Sequence, residues 1–352
     1  MKILRLYTRL PPLSGGMENH IAQLSKEQTR LGHNVIIYFN IGDRLSSNDI
    51  QISKMPLYKL KPQFVGFIVF YFLVYLRLIA NREKFDIVHI HGDWSSLIFA
   101  NLIKKSVGCK KLFISIHDEL SENKWSRKAL SVMLDKVDIV FSSGYSLANQ
   151  LSKLTSKKIE VQPSGIQSIF FKKHPRSFQK ESFQVIVVAN LVEKKNLDLV
   201  LEIAMDLVTL NFIIVGDGPK KNYLNNRIKD LNLSNIQMLG YKNHKELHLL
   251  YYESDIFLLT SKKEGTPTAM LEAMACGLPV VTSNSGGVDS ILGGYNFIAQ
   301  ANNKKNFVDK LNELLEKKDR LEEVSNYNIA VSKKYKWEYV AKNIDNFILD
   351  KT

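Results

Sequence analysis

The sequence predicts an α/β protein of two doubly wound, Rossmann-like domains. Three observations carry that expectation. Short apolar runs alternate with segments of helical periodicity along both halves of the chain, the pattern of strands joined by crossover helices. The length of 352 residues exceeds what one hydrophobic core ordinarily serves. Between the halves, the stretch FKKHPRSFQKES is rich in charge and carries a proline, as a linker does. The boundary is therefore expected near residues 172 to 181, giving an N-terminal domain over 1–172 and a C-terminal domain over 181–335. A last helix is expected over 336–352.

The composition, 45% hydrophobic and 24% charged, is that of a globular protein and excludes disorder. Cys109 and Cys276 stand far apart with no metal spacing around them, so neither a disulfide framework nor a zinc site is expected. MKILRLYTRLPPLSGG lacks the long apolar core and small-residue cleavage site of a signal peptide, and its apolar run reads as a first strand. A cytoplasmic location is expected. The net charge of +13 is uneven: residues 1 to 176 hold 26 Lys+Arg against 13 Asp+Glu, and residues 177 to 352 hold 22 against 22. A basic half beside a neutral one suggests attraction to an anionic membrane surface or a diphosphate-bearing acceptor at the inner membrane face. The lysine pairs lie in separate segments, which argues against nucleic acid as the partner.

In chain order, residues 2 to 8 read as a strand, Pro11 to Gly16 as a loop, and Met17 to about Leu31 as a helix. A second strand spans Asn34 to Phe39. Phe64 to Ala80, FVGFIVFYFLVYLRLIA, is apolar all round, but Gly66 and Arg77 leave it short of a clean membrane span. Such a helix packs in a core, which is the first expectation, or lies along a bilayer interface with Lys59, Lys61, Arg77 and Arg82 near its ends. Phe85 to Gly92 and Lys111 to Ile116 read as buried strands, and His117 follows the second at the carboxyl end, where open α/β sheets bind ligands. Trp94 and Trp125 follow these strands and suit either packing or a platform for an acceptor. Asp138 to Phe141 and Ile159 to Ile166 complete the first half.

The second half opens with a strand over Phe183 to Ala189. A helix over Leu197 to Leu207, a strand over Phe212 to Val215 and a turn at Gly216-Asp217-Gly218-Pro219 follow. Residues 260 to 289, TSKKEGTPTAMLEAMACGLPVVTSNSGGVD, hold the densest signal. After the apolar run Asp255 to Leu259, Gly265 breaks the pattern, Thr266 suits an N-cap and Pro267 the first helical position. The amides of Thr268, Ala269 and Met270 would then point outward, an arrangement that attracts phosphate. Glu264 precedes this helix start and Glu272 lies about two turns beyond, so both can face one crevice.

EGTPTAMLEAMACGLPVV resembles the Glu-x7-Glu signature of family 4 of the retaining glycosyltransferases, whose GT-B fold sets two such domains facing across a cleft, and WEYVAKNIDNFIL resembles the family's closing helix, which implies that 336–352 packs back on the first domain. The resemblance implies that Glu264 contacts the sugar of a nucleoside-diphosphate sugar, Glu272 its ribose, and the amides of Thr268 and Ala269 its diphosphate. GGMEN resembles the family's Gly-Gly-x-Glu element and assigns Gly16 to the donor phosphate, while His117 resembles the histidine that meets the donor sugar. ANLVEKKNLD resembles the element whose arginine and lysine grip the diphosphate: Lys195 matches the lysine, but Asn190 stands where the arginine belongs. Tyr241 and Lys242 match positions beside the nucleobase. Ser290 occupies a position usually held by glutamate.

The implied reaction is retaining transfer of a sugar to a hydroxyl of a glycan or lipid-linked acceptor in surface polysaccharide biosynthesis, with Glu264, His117 and Lys195 as the catalytic set. Closure of the crevice should accompany it. The chain contains no Asp-x-Asp triplet, so no metal and no further cofactor are expected. Two alternatives share the architecture: a nucleotide-sugar epimerase, and a non-catalytic partner subunit compatible with Asn190 and Ser290.

Overall fold

The computed structural model describes residues 1–13, 16–117, 120–172, 178, 180–295, 297–316 and 318–349. The chain divides into two compact units, Met1–Ser164 with Trp337–Thr352, and Gly165–Lys336. The division precedes the expected boundary at 172 to 181, and the reason is Phe170. Its ring is fully buried against His244, His248 and Tyr251, and its carbonyl accepts from the Cys276 thiol, so residues 165 to 171 are tied to the second unit. Most of the expected linker, residues 173–177 and 179, lies outside the described residues.

In the first unit, β1 (Lys2–Leu6), α1 (Gly16–Arg30), β2 (Asn34–Phe39) and β3 (Ile50–Gln51) are followed by the apolar helix α2 (Gln63–Asn81). Next come β4 (Ile87–His91), α3 (Ala100–Val107), β5 (Lys111–Ile116), α4 (Lys124–Leu134), β6 (Ile139–Ser142), α5 (Tyr145–Leu151) and β7 (Ile159–Val161). The seven strands pair in parallel in the order β3-β2-β1-β4-β5-β6-β7. The order reverses between β1 and β4. Such a switch point opens a crevice at the carboxyl ends of the strands, where ligands bind. Both faces of the sheet are covered, which is why its strands read as continuous apolar runs instead of alternating ones.

In the second unit, the elements in order are β8 (Gln184–Val188), α6 (Leu197–Asp206), β9 (Asn211–Val215), α7 (Lys221–Asp230), β10 (Ile236–Gly240), α8 (His244–Glu253) and β11 (Ile256–Leu259). The unit continues with α9 (Thr268–Ala275), β12 (Val280–Ser283), α10 (Val288–Leu292), β13 (Ile298–Ala299), α11 (Lys304–Leu315) and α12 (Lys318–Ser332). Its strands are parallel in the order β10-β9-β8-β11-β12-β13, with the switch point between β8 and β11. The fold is thus two Rossmann-like domains, as expected.

The helix α2 corrects the expectation of core packing. Gly66, Phe70, Tyr71, Val74 and Leu78 are buried, whereas Phe64, Val65, Phe72, Leu76 and Ile79 are exposed. Only one stripe meets the core, because the helix is the outermost layer on its side of the sheet. Gly66 sits so close to the Leu57 carbonyl that a Cβ would lie 1.8 Å from it, which fixes the helix against the preceding turn. By length and composition α2 is also apolar enough to cross a membrane, with 28% of its most apolar 18 residues buried.

The last helix, α13 (Trp337–Ile348), belongs to the first unit and packs along α1. Trp337, Val340, Ala341 and Ile344 join Leu24, Phe113 and Phe141 in one apolar cluster. A polar contact fixes its register: Asp345 accepts from Gln28 Nε2 at 3.0 Å and meets His33 Nε2 at 2.8 Å, all three side chains being buried. Gln28 in turn accepts from Arg5, a guanidinium with no exposure at all. Asp345→Ala leaves the Gln28 amide and the His33 ring unsatisfied in a dry site, a cost of about 2–3 kcal/mol. The expected result is a lower urea midpoint and faster proteolysis within residues 337–349, whereas Asp345→Asn keeps most of the wild-type midpoint.

Candidate active site

In the second unit, the loops that leave β8, β11 and β12 at their carboxyl ends meet at one point. Lys195 lies in the turn after β8, and its Nζ stands 2.6 Å from Oε1 of Glu264, in the loop after β11. Both are largely withdrawn from water, with side-chain exposures of 17% and 7%. The Ser261 hydroxyl donates to the same carboxylate oxygen at 2.5 Å. Ser283, at the end of β12, donates to the Ser261 carbonyl at 2.6 Å and so ties the third loop to the other two. Gly286 follows it with φ +67, and a Cβ there would stand 2.6 Å from the Glu264 carbonyl and 2.8 Å from its Cβ. Only glycine admits this approach, and it presses the Ser285 to Gly287 turn onto Glu264.

The helix α9 begins one residue later than the sequence suggested. Pro267 is the N-cap, no side chain caps the helix, and the Thr268 amide donates to the Thr266 carbonyl at 2.9 Å. Thr266 is thus not the N-cap and the Thr268 amide is not free, because Pro267, at φ −76 and ψ 79, sits at the centre of an inverse γ-turn that the Thr268 amide closes. The first helical hydrogen bond runs from Leu271 to Pro267 at 3.2 Å. Ala269 and Met270 stand in the first turn, where amides have no helical acceptor.

Glu272, on the same helix, lies against the Tyr251 phenol, whose hydroxyl also donates to the Ala269 carbonyl at 3.1 Å. Burial pushes the Glu272 carboxyl up to about 8, only partly offset by the hydrogen bond with Tyr251. The Glu272 carboxyl therefore rests protonated at neutral pH, a donor as well as an acceptor.

The other residues expected to meet a donor are less enclosed. Asn190 is exposed, and its carbonyl accepts from the Val192 amide at 2.8 Å. Tyr241 is exposed and Lys242 pairs with Glu246 at 3.3 Å, so both stand free of the core beyond β10. Ser290 is exposed on α10.

In the first unit, Gly16 is the exposed first residue of α1, and a Cβ on it would meet nothing within 4 Å. Gly15, Asp118 and Glu119 lie outside the described residues. His117 follows β5 directly, and burial pushes its imidazole down to about 4, so it is neutral at physiological pH. It lines a cavity of about 540 Å³ at the switch point between β1 and β4. The residues after β1 supply Tyr7, Thr8 and Arg9, and the end of β4 with the turn that follows supplies His91, Gly92 and Asp93. The side wall is aromatic. Phe64 and Phe67 of α2 contribute to it, Phe64 lies 5.6 Å from Trp94, and Trp94 meets Trp125 edge-on at 4.7 Å. Trp125 is 59% exposed, a large apolar surface at a cavity mouth.

Two residues in this region escaped the sequence reading. Glu18 is almost fully buried and pairs with Arg9 at 2.8 Å, which places Arg9 in the first unit's cavity and holds it there. The signal was present in GGMEN, whose glutamate is the fourth residue of the element that assigned Gly16. The other is His20, which approaches His117 with ring centroids 4.8 Å apart; nothing in its local sequence marks it.

The class this architecture defines, two Rossmann-like domains with a Lys-Glu pair at one switch point, is that of the GT-B transferases. The structure of HepE from Anabaena in complex with UDP superposes with a TM-score of 0.79 over 99% of this chain and 100% of that one, at 17% identity. Residues 14–168 match Glycosyltransferase Family 4 and residues 169–331 match Glycosyl transferases group 1. The chain belongs to this glycosyltransferase family. It is 31% identical over 300 residues to a human phosphatidylinositol N-acetylglucosaminyltransferase subunit, covering 80% of this chain and 61% of that protein. It is 26% identical over 353 residues to the corresponding gpi3 protein of Schizosaccharomyces pombe, covering 95% of this chain and 77% of that one.

The Glu272 environment yields a pH test. Glu272 binds its proton more tightly in the folded chain than in the unfolded chain, where the ordinary value is 4.5. Its contribution to stability is complete below about pH 4.5 and is lost as the pH rises through about 8. Each tenfold change in proton affinity is about 1.4 kcal/mol, and with part of the side chain open to water a loss on the order of 2 kcal/mol is expected. Urea melts at pH 5 and pH 8.5 should show a smaller difference in Glu272→Gln than in wild type. An equal difference in both proteins removes Glu272 as the titrating group.

Proposed function

We propose that this glycosyltransferase moves a sugar from a UDP-sugar, with retention at the anomeric carbon, to a hydroxyl of a lipid-borne acceptor with an anionic headgroup. The observation that carries this reading is the Lys195–Glu264 pair, a cation and a carboxylate held nearly dry at the switch point of the second unit. A diphosphate arriving at the first turn of α9 gives Lys195 a doubly charged partner in place of Glu264. That exchange releases Glu264 to accept from the sugar's hydroxyls. As the glycosidic bond breaks, negative charge grows on the leaving diphosphate, and Lys195 with the Ala269 and Met270 amides stabilises it. Glu272, protonated at rest, meets the ribose hydroxyls, and Tyr241 and Lys242 meet the base. Neutral His117 suits a hydrogen bond to a sugar hydroxyl, with no charge to desolvate. Asn190 supplies no positive charge, so Lys195 carries more of the diphosphate's charge than a lysine with an arginine beside it.

The UDP-bound fold neighbour supports the choice of nucleotide, and the relatives named for N-acetylglucosaminyl transfer support an N-acetylglucosamine donor. Their names also support phosphatidylinositol over a surface-polysaccharide intermediate as acceptor. The cavity in the first unit fits a polyol ring with an anionic group: Trp94 and Trp125 offer apolar faces, Asp93 accepts from hydroxyls, and Arg9 and Arg127 attract the anion. The exposed stripe of α2, beginning at Phe64 in the cavity wall, offers an apolar path for the acyl chains. The excess of basic residues in the first 176 suits an anionic membrane face on the cytoplasmic side.

Glu264→Gln is expected to lower kcat by about 10²–10³ with UDP-N-acetylglucosamine and phosphatidylinositol in vesicles, while the thermal unfolding curve stays cooperative. An unchanged kcat refutes the role. The coupling of the anomeric proton in the product's NMR spectrum is expected to show the donor's anomeric configuration, and the opposite configuration refutes retention. Replacing phosphatidylinositol with a polyprenyl diphosphate sugar separates the two lipid acceptors. Phe72→Ser/Ile79→Ser should at least halve co-sedimentation with anionic vesicles at low salt, and undiminished sedimentation removes α2 from the membrane contact.

A further inference from the structure

We propose that His20, His91 and His117 form a site for one divalent transition-metal ion of the zinc class on the floor of the first unit's cavity. The three imidazoles come from α1, the end of β4 and the residue after β5, and one nitrogen from each lies within 4.8 Å of the others. His91 Nδ1 and His117 Nε2 stand 3.3 Å apart. A tetrahedral zinc ion with bonds of 2.0–2.1 Å to nitrogen requires an edge of about 3.3–3.4 Å, so two ligands already stand at bonding separation. The His20 ring lies edge-on to both, with centroids 4.8 Å from His117 and 6.0 Å from His91, and a small rotation closes the remaining edges.

The surroundings are those of a ligand set. His20 Nδ1 meets the Ser164 hydroxyl at 2.8 Å, an outer hydrogen bond of the kind that orients a metal-binding imidazole and leaves Nε2 for the metal. Behind His91, the ring of His89 stacks at 4.3 Å and is itself held on Ser115 at 2.8 Å. His91 Nε2 is buried without a partner among the described residues, and Nδ1, the nitrogen beside His117, is the one placed to coordinate. His91 and His117 face the cavity, which leaves a fourth position open to water or an anion, the arrangement of a three-histidine zinc site with one exchangeable ligand. The buried guanidinium of Arg5, bound to Ser25 and Gln28, acts on His20 and His91 and opposes a second positive charge there. A metal in this position takes His117 away from the sugar, so the occupied site is inhibitory; this last clause alone rests on the proposed transfer reaction.

The test is a titration of the chelator-treated chain with Co(II), which needs neither donor nor acceptor and therefore succeeds or fails independently of the transferase reading. The expected result is the intense visible absorption of four-coordinate Co(II), saturating at one ion per chain and abolished by Zn(II). His20→Asn and His91→Gln should each weaken binding at least tenfold. Weak six-coordinate absorption in the wild type, or unchanged affinity in both variants, overturns the site. Should either variant fail to fold by circular dichroism, NMR of the wild-type ring protons decides: Zn(II) shifts His20, His91 and His117 together, and unmoved resonances overturn the site. Saturating Zn(II) should lower transfer at least tenfold, with recovery on chelation; undiminished transfer with metal bound overturns the inhibitory role.

Discussion

A lysine and a glutamate almost without water cannot be separated cheaply, since removing either leaves the other's charge buried and uncompensated, at a cost of about 3–5 kcal/mol. Lys195 and Glu264 stand in that relation, and they come from the loops that follow the two strands flanking the switch point. Their contact therefore fixes two loop ends relative to each other. Ser261 and Ser283 extend the constraint to a third loop, and Gly286 lets that loop press against Glu264. The geometry of the second unit's site follows from one ion pair and one missing side chain.

The first unit has its cavity at the corresponding position of its own sheet. β1 and β4 stay paired to their carboxyl ends, and the segments that follow them line a cavity whose rim carries bulky aromatic residues. Its floor is a group of neutral histidines, depressed first by burial and then by one another and by Arg5. Such a floor tolerates a polar ligand with little reorganisation. The helix α2 runs from the wall of this cavity into an exposed apolar stripe, so one side of the element meets the core and the other is open.

Much of the fold was legible because parallel strands buried on both faces appear as uninterrupted apolar runs, and crossover helices have a different period. The runs at Asn34 to Phe39 and Lys111 to Ile116 coincide with strands to the residue. The helix start at residues 266 to 268 was legible in kind, from glycine followed by Thr-Pro, but missed by one residue. Which of two adjacent residues caps a helix depends on how the incoming loop is held, and here Glu264 and Gly286 hold it. Composition read residues 64 to 80 as apolar all round; it had no means of telling that only one stripe would be covered.

The sequence by itself determined the alternation of strand and helix, the family signature from Glu264 to Glu272, and the concentration of positive charge in the first half. All three are local properties, written in neighbouring side chains. Tertiary structure decided the pairing of Lys195 with Glu264, the burial that keeps a proton on Glu272, and the meeting of His20, His91 and His117. Those depend on strand order, which brings residues 26 to 97 positions apart into contact, and no local pattern encodes which strand ends will be neighbours.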